Sequence, residues 1–178
     1  MWLNWGCGPF PAPKPWHNID VVRQDDTQPD QVVDAVLPLP FPAGSCERIY
    51  LGHMLEHWPW TGVKALLTEV GRLLPPDGEV LVVGPDVYRA IKMWKAGHPQ
   101  GDWELIVASL EGMSSYDAET TWDQARHHWN CTEERLVGAL DNAGFEPEAL
   151  PVTPEALDGW PLVSFMQHQC AVRATLRK

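Results

Sequence analysis

The chain has 178 residues, 44% of them hydrophobic, which is enough for one domain with a sizeable core and too few for two ordinary ones. Its 13 basic and 24 acidic residues leave a net charge of -11, which argues against naked nucleic acid as a partner because the phosphate backbone would be repelled. The four cysteines are widely spaced, and no apolar stretch approaches the length of a membrane span. We therefore expect a single cytoplasmic domain over residues 1–178, without disulfides or membrane contact.

The chain opens with a short apolar segment that ends in a Gly-x-Gly turn. Trp2–Trp5 is predicted as the first strand, and Gly6-Cys7-Gly8 follows it. A side chain at either glycine would obstruct a ligand, so the turn favours close approach of a ligand to backbone amides. A second apolar segment closes with Asp20, and a carboxylate at a strand tip can accept both hydroxyls of a ribose. Together these features predict a nucleoside site.

The connection between these two segments is a proline-rich loop. Alternate prolines from Pro9 to Pro15 remove amide donors and clash with a preceding helical turn, so we predict that the first crossover has no helix. The Gly-x-Gly turn then has no helix dipole behind it, which argues against a dinucleotide pyrophosphate at this position.

The rest of the chain alternates between strand and helix patterns, which indicates an α/β domain. Thr61 and Thr132 are predicted to cap two amphipathic helices, and Gly144 to end the second. Residues 86–113 are predicted as a helical insertion over the strand ends, broken at 97–101. The remaining strands are predicted over residues 31–35, 47–51, 79–83, 145–150 and 164–175.

This order of signals resembles the class I S-adenosylmethionine-dependent methyltransferases, in a compact branch whose first motif reads Leu-Asn-x-Gly-Cys-Gly-Pro. The resemblance implies a Rossmann-like methyltransferase fold with a mostly parallel seven-stranded sheet, an antiparallel last strand and S-adenosylmethionine as the cofactor. Here the first crossover helix is replaced by the proline loop. The segments that carry the resemblance are Leu3–Pro9, Asn18–Asp20, Leu37–Pro42, His53–His57, Leu73–Gly78 and Ala143–Phe145.

The resemblance also implies roles for individual residues. The turn would line the methionine part of the cofactor, a carboxylate would take the ribose hydroxyls, and the chain after the third strand would face the adenine. The residues implied, in that order, are Gly6, Cys7 and Gly8, then Asp20, then Asp34 and Ala35. His53 would lie beside the methionine part or the acceptor. Trp5 occupies a position that often holds a smaller residue, which bears on the geometry of the pocket.

Methyl transfer from a sulfonium mainly requires alignment of the acceptor, because the leaving group departs neutral. A hydroxyl or protonated amine acceptor also needs a base, and histidine titrates in the useful range. The candidate catalytic residues are His53, His127 and His128. The sequence therefore predicts a methyltransferase for a small or modest-sized acceptor, such as a metabolite, a sugar or a nucleotide derivative, with a homodimer left open.

Two other functions fit parts of the sequence. The chain could be a non-catalytic scaffold that keeps the methyltransferase fold, which fold alone does not exclude. The stretch from His53 to His57 also matches the H-x-x-E-H pattern of inverted zinc peptidases, in which Glu56 would activate water. That pattern needs one continuous helix, whereas Gly52 and Pro59 flank it closely. We therefore predict no metal ligands.

Overall fold

The computed structural model describes residues 1–21, 29–34, 36–112, 126–161 and 168–177. Seven strands form one sheet in the order β3-β2-β1-β4-β5-β7-β6, and helices follow β4, β5 and the segment before β6. The strands are β1 (Trp2–Trp5), β2 (Trp16–Asp20), β3 (Gln31–Val32), β4 (Arg48–Gly52), β5 (Glu79–Pro85), β6 (Phe145–Leu150) and β7 (Gln169–Leu176). The helices are α1 (Trp60–Leu73), α2 (Val87–Lys95), α3 (Trp103–Glu111) and α4 (Glu133–Asn142), and a 3-10 turn spans Leu55–His57.

The sheet is parallel except at β7, which runs antiparallel to both of its neighbours. The predicted mostly parallel sheet with an antiparallel last strand is therefore confirmed. Because β1, β2, β4 and β5 run in the same direction, their carboxyl ends meet at one edge of the sheet. The Gly-x-Gly turn, Asp20 and His53 follow three of these strands and so lie along that edge.

A hydrophobic core lies on each face of the sheet. On one face α1 and α4 pack against the strands, as their apolar stripes predicted. On the other face Trp16 of β2 and Leu157 pack with side chains of β4, β5 and β7. Fully buried side chains of the first core include Leu3, Ile49, Leu66, Leu67, Leu136 and Phe145.

The first crossover has no helix, as predicted, and a buried amide network holds it instead. Asn18 on β2 accepts hydrogen bonds from Ala12 N (2.7 Å) and from Asn4 Nδ2 (2.9 Å), and donates to Ala12 O (2.9 Å). Asn4 and Asn18 are only 2% and 5% exposed. The network therefore fastens the proline loop to both β1 and β2 and satisfies polar groups that would otherwise be buried unpaired.

Two predicted boundaries are wrong. Helix α1 begins at Trp60 with Pro59 as the N-cap residue, so Thr61 lies inside the helix and is not its cap. Proline is tolerated at a helix start because its missing N–H would have no intrahelical partner there. Strand β3 ends at Val32 instead of residue 35, since it is an edge strand with only one neighbour to pair with.

The other helix signals are confirmed. Thr132 Oγ1 accepts from Arg135 N at 3.3 Å and caps α4, and Gly144 follows that helix with a φ of +92°. Helices α2 and α3 lie within the segment after β5 that was predicted to be helical, and residues 97–101 fall between them, while its role as an insertion stays a prediction. The start predicted for the last strand, at residues 164–167, lies outside the described residues.

Replacing Asp30 by asparagine is expected to lower stability at neutral pH but not in strong acid. Hydrogen bonds from Asn18 N and from Lys14 Nζ, both 2.8 Å, lower the pKa of Asp30 to about 2. A lowered pKa stabilises the fold above the unfolded-state value, and that contribution is lost as the pH falls through about 2. Because the side chain is 28% exposed and screened, we expect only about 1 kcal/mol.

Urea unfolding of Asp30→Asn and of the wild type, between neutral pH and the acid limit, measures this difference. The exposed turn variant Asp77→Asn serves as the matched control and should match the wild type to within about 0.5 kcal/mol. A difference at Asp30 that persists unchanged below pH 3 would show that the carboxylate charge is not its cause.

Candidate functional site

The Gly-x-Gly turn adopts backbone conformations that favour glycine at both positions. Gly6 has a φ of +77° and Gly8 a φ of +52°. A Cβ atom on Gly6 would lie 2.4 Å from Met54 Cγ, whereas one on Gly8 would meet nothing within 4 Å. The first glycine is therefore required for packing against the chain after β4, and the second borders open space.

The amides of the turn point toward β2. Gly6 N and Cys7 N both donate to Ile19 O, at 2.9 and 3.2 Å, and Gly8 N donates to Asp20 Oδ2 at 2.7 Å. The hydrogen bonds of these amides are therefore accepted by β2, the parallel neighbour strand, and the close approach of a ligand to this turn stays a prediction. The turn therefore offers a ligand a surface without side chains at its two glycines, and its backbone N–H groups donate to the protein.

Asp20 lies at the end of β2, as predicted, and is partly exposed. Its Oδ1 accepts a hydrogen bond from Val21 N at 2.7 Å, while its Oδ2 accepts the hydrogen bond from Gly8 N. Asp34 is exposed beyond β3, and Ala35 lies outside the described residues.

Cys7 packs inside the turn and has no nucleophilic role. Burial, together with the charge of Asp20, raises the pKa of the Cys7 thiol to about 12. The thiol therefore stays protonated at neutral pH, and a protonated thiol is a poor nucleophile. Its predicted contribution to the cofactor site is consequently limited to shape.

His53 directly follows β4 with a φ of +50°, a conformation that is uncommon for a residue other than glycine. Its Nδ1 lies 3.3 Å from Glu56 Oε1 and its Nε2 lies 2.7 Å from Gln169 Nε2. An amide nitrogen donates, so His53 Nε2 accepts and the proton is on Nδ1, which faces the carboxylate.

Glu56 lies at the centre of a cluster of histidines and is 0% exposed. Neither carboxylate oxygen has a hydrogen-bond partner among the described residues, since the contact from His53 has ion-pair distance but not hydrogen-bond direction. Burial raises the pKa of Glu56, but His53, His57 and His127 together lower it, and the net direction is downward. The lowered pKa keeps the Glu56 carboxylate charged at neutral pH although it is buried.

His127 reaches this cluster from the segment before α4. Its side chain is 8% exposed, and its Nε2 lies 4.0 Å from Glu56 Oε1. Burial lowers the pKa of His127, which keeps its ring neutral at neutral pH. The ring of His57 packs edge-on against it, with the centroids 5.0 Å apart.

The structure thus brings two of the three predicted catalytic histidines, His53 and His127, to one carboxylate. The backbone of His128 joins it to the same turn, since its N–H donates to Glu56 O at 2.9 Å. Sequence reasoning considered Glu56 only within the zinc-peptidase pattern and missed it as the centre of this cluster. The sequence gives no sign that Glu56 is buried, because nothing in this short turn shows whether a charged side chain faces inward or outward.

The helix required by the zinc-peptidase pattern does not form. His53 lies before the 3-10 turn with its φ of +50°, and that turn contains only three residues, Leu55–His57. The two histidines therefore do not share a helix face, and the H-x-x-E-H interpretation is wrong as a structural motif.

A cavity of about 760 Å³ lies away from this edge of the sheet. It is bordered by the proline loop and by aromatic rings at the amino ends of β1 and β2, and it includes none of Gly6, Gly8 or Asp20. Its aromatic lining residues are Trp2, Phe10, Trp16 and Trp160.

Comparison with known proteins identifies the fold. A family model described as a methyltransferase domain matches residues 16–82. The structure of 1,6-didemethyltoxoflavin-N1-methyltransferase from Burkholderia thailandensis, with bound S-adenosylhomocysteine, is similar with a TM-score of 0.58 at 14% identity, covering 99% of this chain and 70% of that one. Human N-acetylserotonin methyltransferase in complex with S-adenosylmethionine gives the same score and identity, over 99% of this chain and 47% of that one.

The structure of an S-adenosylmethionine-dependent methyltransferase from Methanosarcina mazei is also similar to this chain, with a TM-score of 0.51 at 17% identity, over 99% of this chain and 92% of that one. A search of curated protein sequences gave no match. At these identities the structures show the fold, and the chain therefore has the Rossmann-like fold of S-adenosylmethionine-dependent methyltransferases. Within the described part of the chain, no helix has the length and apolar character needed to span a membrane.

Proposed function

We propose that this protein is an S-adenosylmethionine-dependent methyltransferase that acts on a small or modest-sized acceptor, such as a metabolite, a sugar or a nucleotide derivative. The observation that carries the proposal is the Gly-x-Gly turn locked to Asp20 by the 2.7 Å bond from Gly8 N, at the carboxyl edge of the sheet. Two solved structures with this fold are described with S-adenosylhomocysteine or S-adenosylmethionine bound, which supports the proposal.

The residues present fit an adenosyl group with a methionine tail. Open space at Gly8, where a Cβ atom would have no neighbour within 4 Å, leaves room for a ligand beside the backbone. Asp20 borders that space and would hold the ribose hydroxyls, while Asp34 would face the adenine beyond β3. The turn has neither helix dipole nor directed amides, which suits an uncharged adenosyl group and a cationic sulfur better than a phosphate.

When bound, the donor supplies a methyl carbon on a positively charged sulfur that becomes neutral on transfer. The protein must then align the acceptor and remove its proton. His127 is placed for this proton, because its Nδ1 lies 3.1 Å from Ser109 O and donates to it, which leaves a lone pair on Nε2. The negative charge of Glu56, 4.0 Å from that nitrogen, would stabilise the imidazolium that forms. His53 holds Glu56 from the other side, and His128 remains a third candidate.

Replacing Asp20 by asparagine is expected to weaken binding of S-adenosylhomocysteine about thirtyfold, or about 2 kcal/mol, which is typical of hydrogen bonds to a charged acceptor. Titration calorimetry of the wild type and the variant measures this loss. Asp77→Asn, in the exposed turn before β5 at the opposite edge of the sheet, should leave the affinity unchanged.

The same titration distinguishes the enzyme from a scaffold that has only the fold. A scaffold would show no heat with either S-adenosylmethionine or S-adenosylhomocysteine, and this result would overturn the proposal. If the wild type binds and Asp20→Asn binds with the same affinity, the Asp20 carboxylate does not hold the ribose hydroxyls. Release of S-adenosylhomocysteine with a panel of hydroxyl and amine acceptors then tests turnover.

A further inference from the structure

We propose that Glu56, His57 and His127 form a binding site for a divalent transition-metal ion. One ligand atom from each of these residues lies within 4.8 Å of the others. The carboxylate is fully buried, and neither of its oxygens has a hydrogen-bond partner among the described residues. A buried charge that accepts no hydrogen bond is costly, and coordination of a cation is a recurrent way of compensating it.

Both histidines are oriented as metal ligands are. His57 Nδ1 lies 3.2 Å from Arg126 O, and His127 Nδ1 lies 3.1 Å from Ser109 O. A carbonyl oxygen only accepts, so each Nδ1 carries the proton and each Nε2 presents a lone pair. Metal-bound histidines typically donate their other ring N–H to a carbonyl in this way, which fixes the tautomer.

The spacing of the cluster is close to that of a coordinated site. His127 Nε2 lies 4.0 Å from Glu56 Oε1, while two ligand atoms about 2.1 Å from one tetrahedral ion lie about 3.4 Å apart. Small side-chain rotations would therefore bring all three atoms into contact with one ion. His53 Nδ1, 3.3 Å from the same carboxylate oxygen, would orient Glu56 as a second-layer donor.

The donor set indicates which ions fit. Two imidazoles and one carboxylate suit Zn²⁺, Co²⁺ or Fe²⁺, whereas Mg²⁺ and Ca²⁺ prefer oxygen ligands. Three protein ligands leave coordination positions open, and water or an oxygen of a small molecule would take them. If the proposed methyl transfer is correct, that oxygen belongs to the acceptor, and His127 Nε2, which is then a metal ligand, takes the acceptor proton only in the metal-free protein. This last step rests on the proposed function, but the metal site itself does not.

The test is metal binding by the full chain after removal of metals with a chelator and dialysis. We expect one Zn²⁺ per chain by calorimetry, and a visible d–d absorption on addition of Co²⁺ that Zn²⁺ displaces. Glu56→Gln and His127→Ala should each weaken binding by about a hundredfold or more. His98→Ala, in the turn between α2 and α3, is the matched histidine control and should bind as the wild type does.

Three results would overturn the proposal. They are the absence of one-to-one binding, equal binding by the wild type and both ligand variants, and a thiolate-to-cobalt charge-transfer band that places the ion on cysteine. Glu56→Gln is nearly isosteric and removes a buried charge, so thermal unfolding in chelator should show that it folds. Binding of S-adenosylhomocysteine to the same preparations, measured without metal, separates failure of this site from failure of the proposed function.

Discussion

Replacing Gly6 by alanine is expected to destabilise the protein by about 3 kcal/mol and to impair donor binding with it. Part of this cost comes from the φ of +77°, which disfavours a side chain by about 1 kcal/mol. The larger part comes from overpacking, because the new Cβ would lie 2.4 Å from Met54 Cγ and 3.0 Å from Met54 Cβ. Met54 is only 8% exposed and has little room to move. Urea unfolding and calorimetry with S-adenosylhomocysteine measure the two effects.

Substitutions at two other glycines distinguish the cost of backbone strain from obstruction of the ligand site. Gly44 has a φ of +68° and its nearest contact would be 4.0 Å away, so Gly44→Ala should show the backbone cost alone and keep donor affinity. Gly8→Ala should lose only about 1 kcal/mol of stability, since nothing lies within 4 Å, yet should obstruct the donor. Wild-type affinity in Gly8→Ala would contradict the assignment of that open space to the ligand.

Replacing Asn18 by alanine is expected to destabilise the protein by about 3 kcal/mol, because it leaves several buried polar groups without partners. Ala12 would lose the partners of both its N–H and its C=O, and the Asn4 amide would lose its acceptor. The proline loop would then be held to β2 mainly by packing, and the adjacent turn would loosen.

Urea unfolding of Asn18→Ala measures the loss, with the exposed Asn142→Ala at the end of α4 as the control for removal of an asparagine side chain. The control should change stability by less than about 0.5 kcal/mol. A loss below about 1 kcal/mol for Asn18→Ala would show that water replaces the network, so that the loop does not depend on it.

The elements that followed correctly from the sequence are those with a local cause. The alternate prolines from Pro9 to Pro15 exclude a helix whatever surrounds them. The Thr132 cap and the Gly144 terminus are set by hydrogen bonds and backbone angles within a few residues of α4. The apolar run at the start of β5 is buried on both faces, as a central parallel strand requires.

The features that the sequence did not reveal depend on a neighbour in space. The direction of the turn amides depends on Ile19 O, which β2 brings alongside β1. The length of β3 depends on its place at the edge of the sheet, where only β2 is available for pairing. Neither the direction of the amides nor the length of the strand is encoded by the types of residue at those positions.

By itself, the sequence determined the α/β pattern, the helix-free first crossover and the placement of the glycine turn and Asp20 at strand ends, because periodicity, proline chemistry and strand polarity act along the chain. Only the tertiary structure decided that Glu56 is a buried charge, and that His127, from a segment far along the chain, meets it beside His57. The physical reason is that burial removes water from the carboxylate, and its energy then depends on whichever side chains the fold brings within a few ångströms.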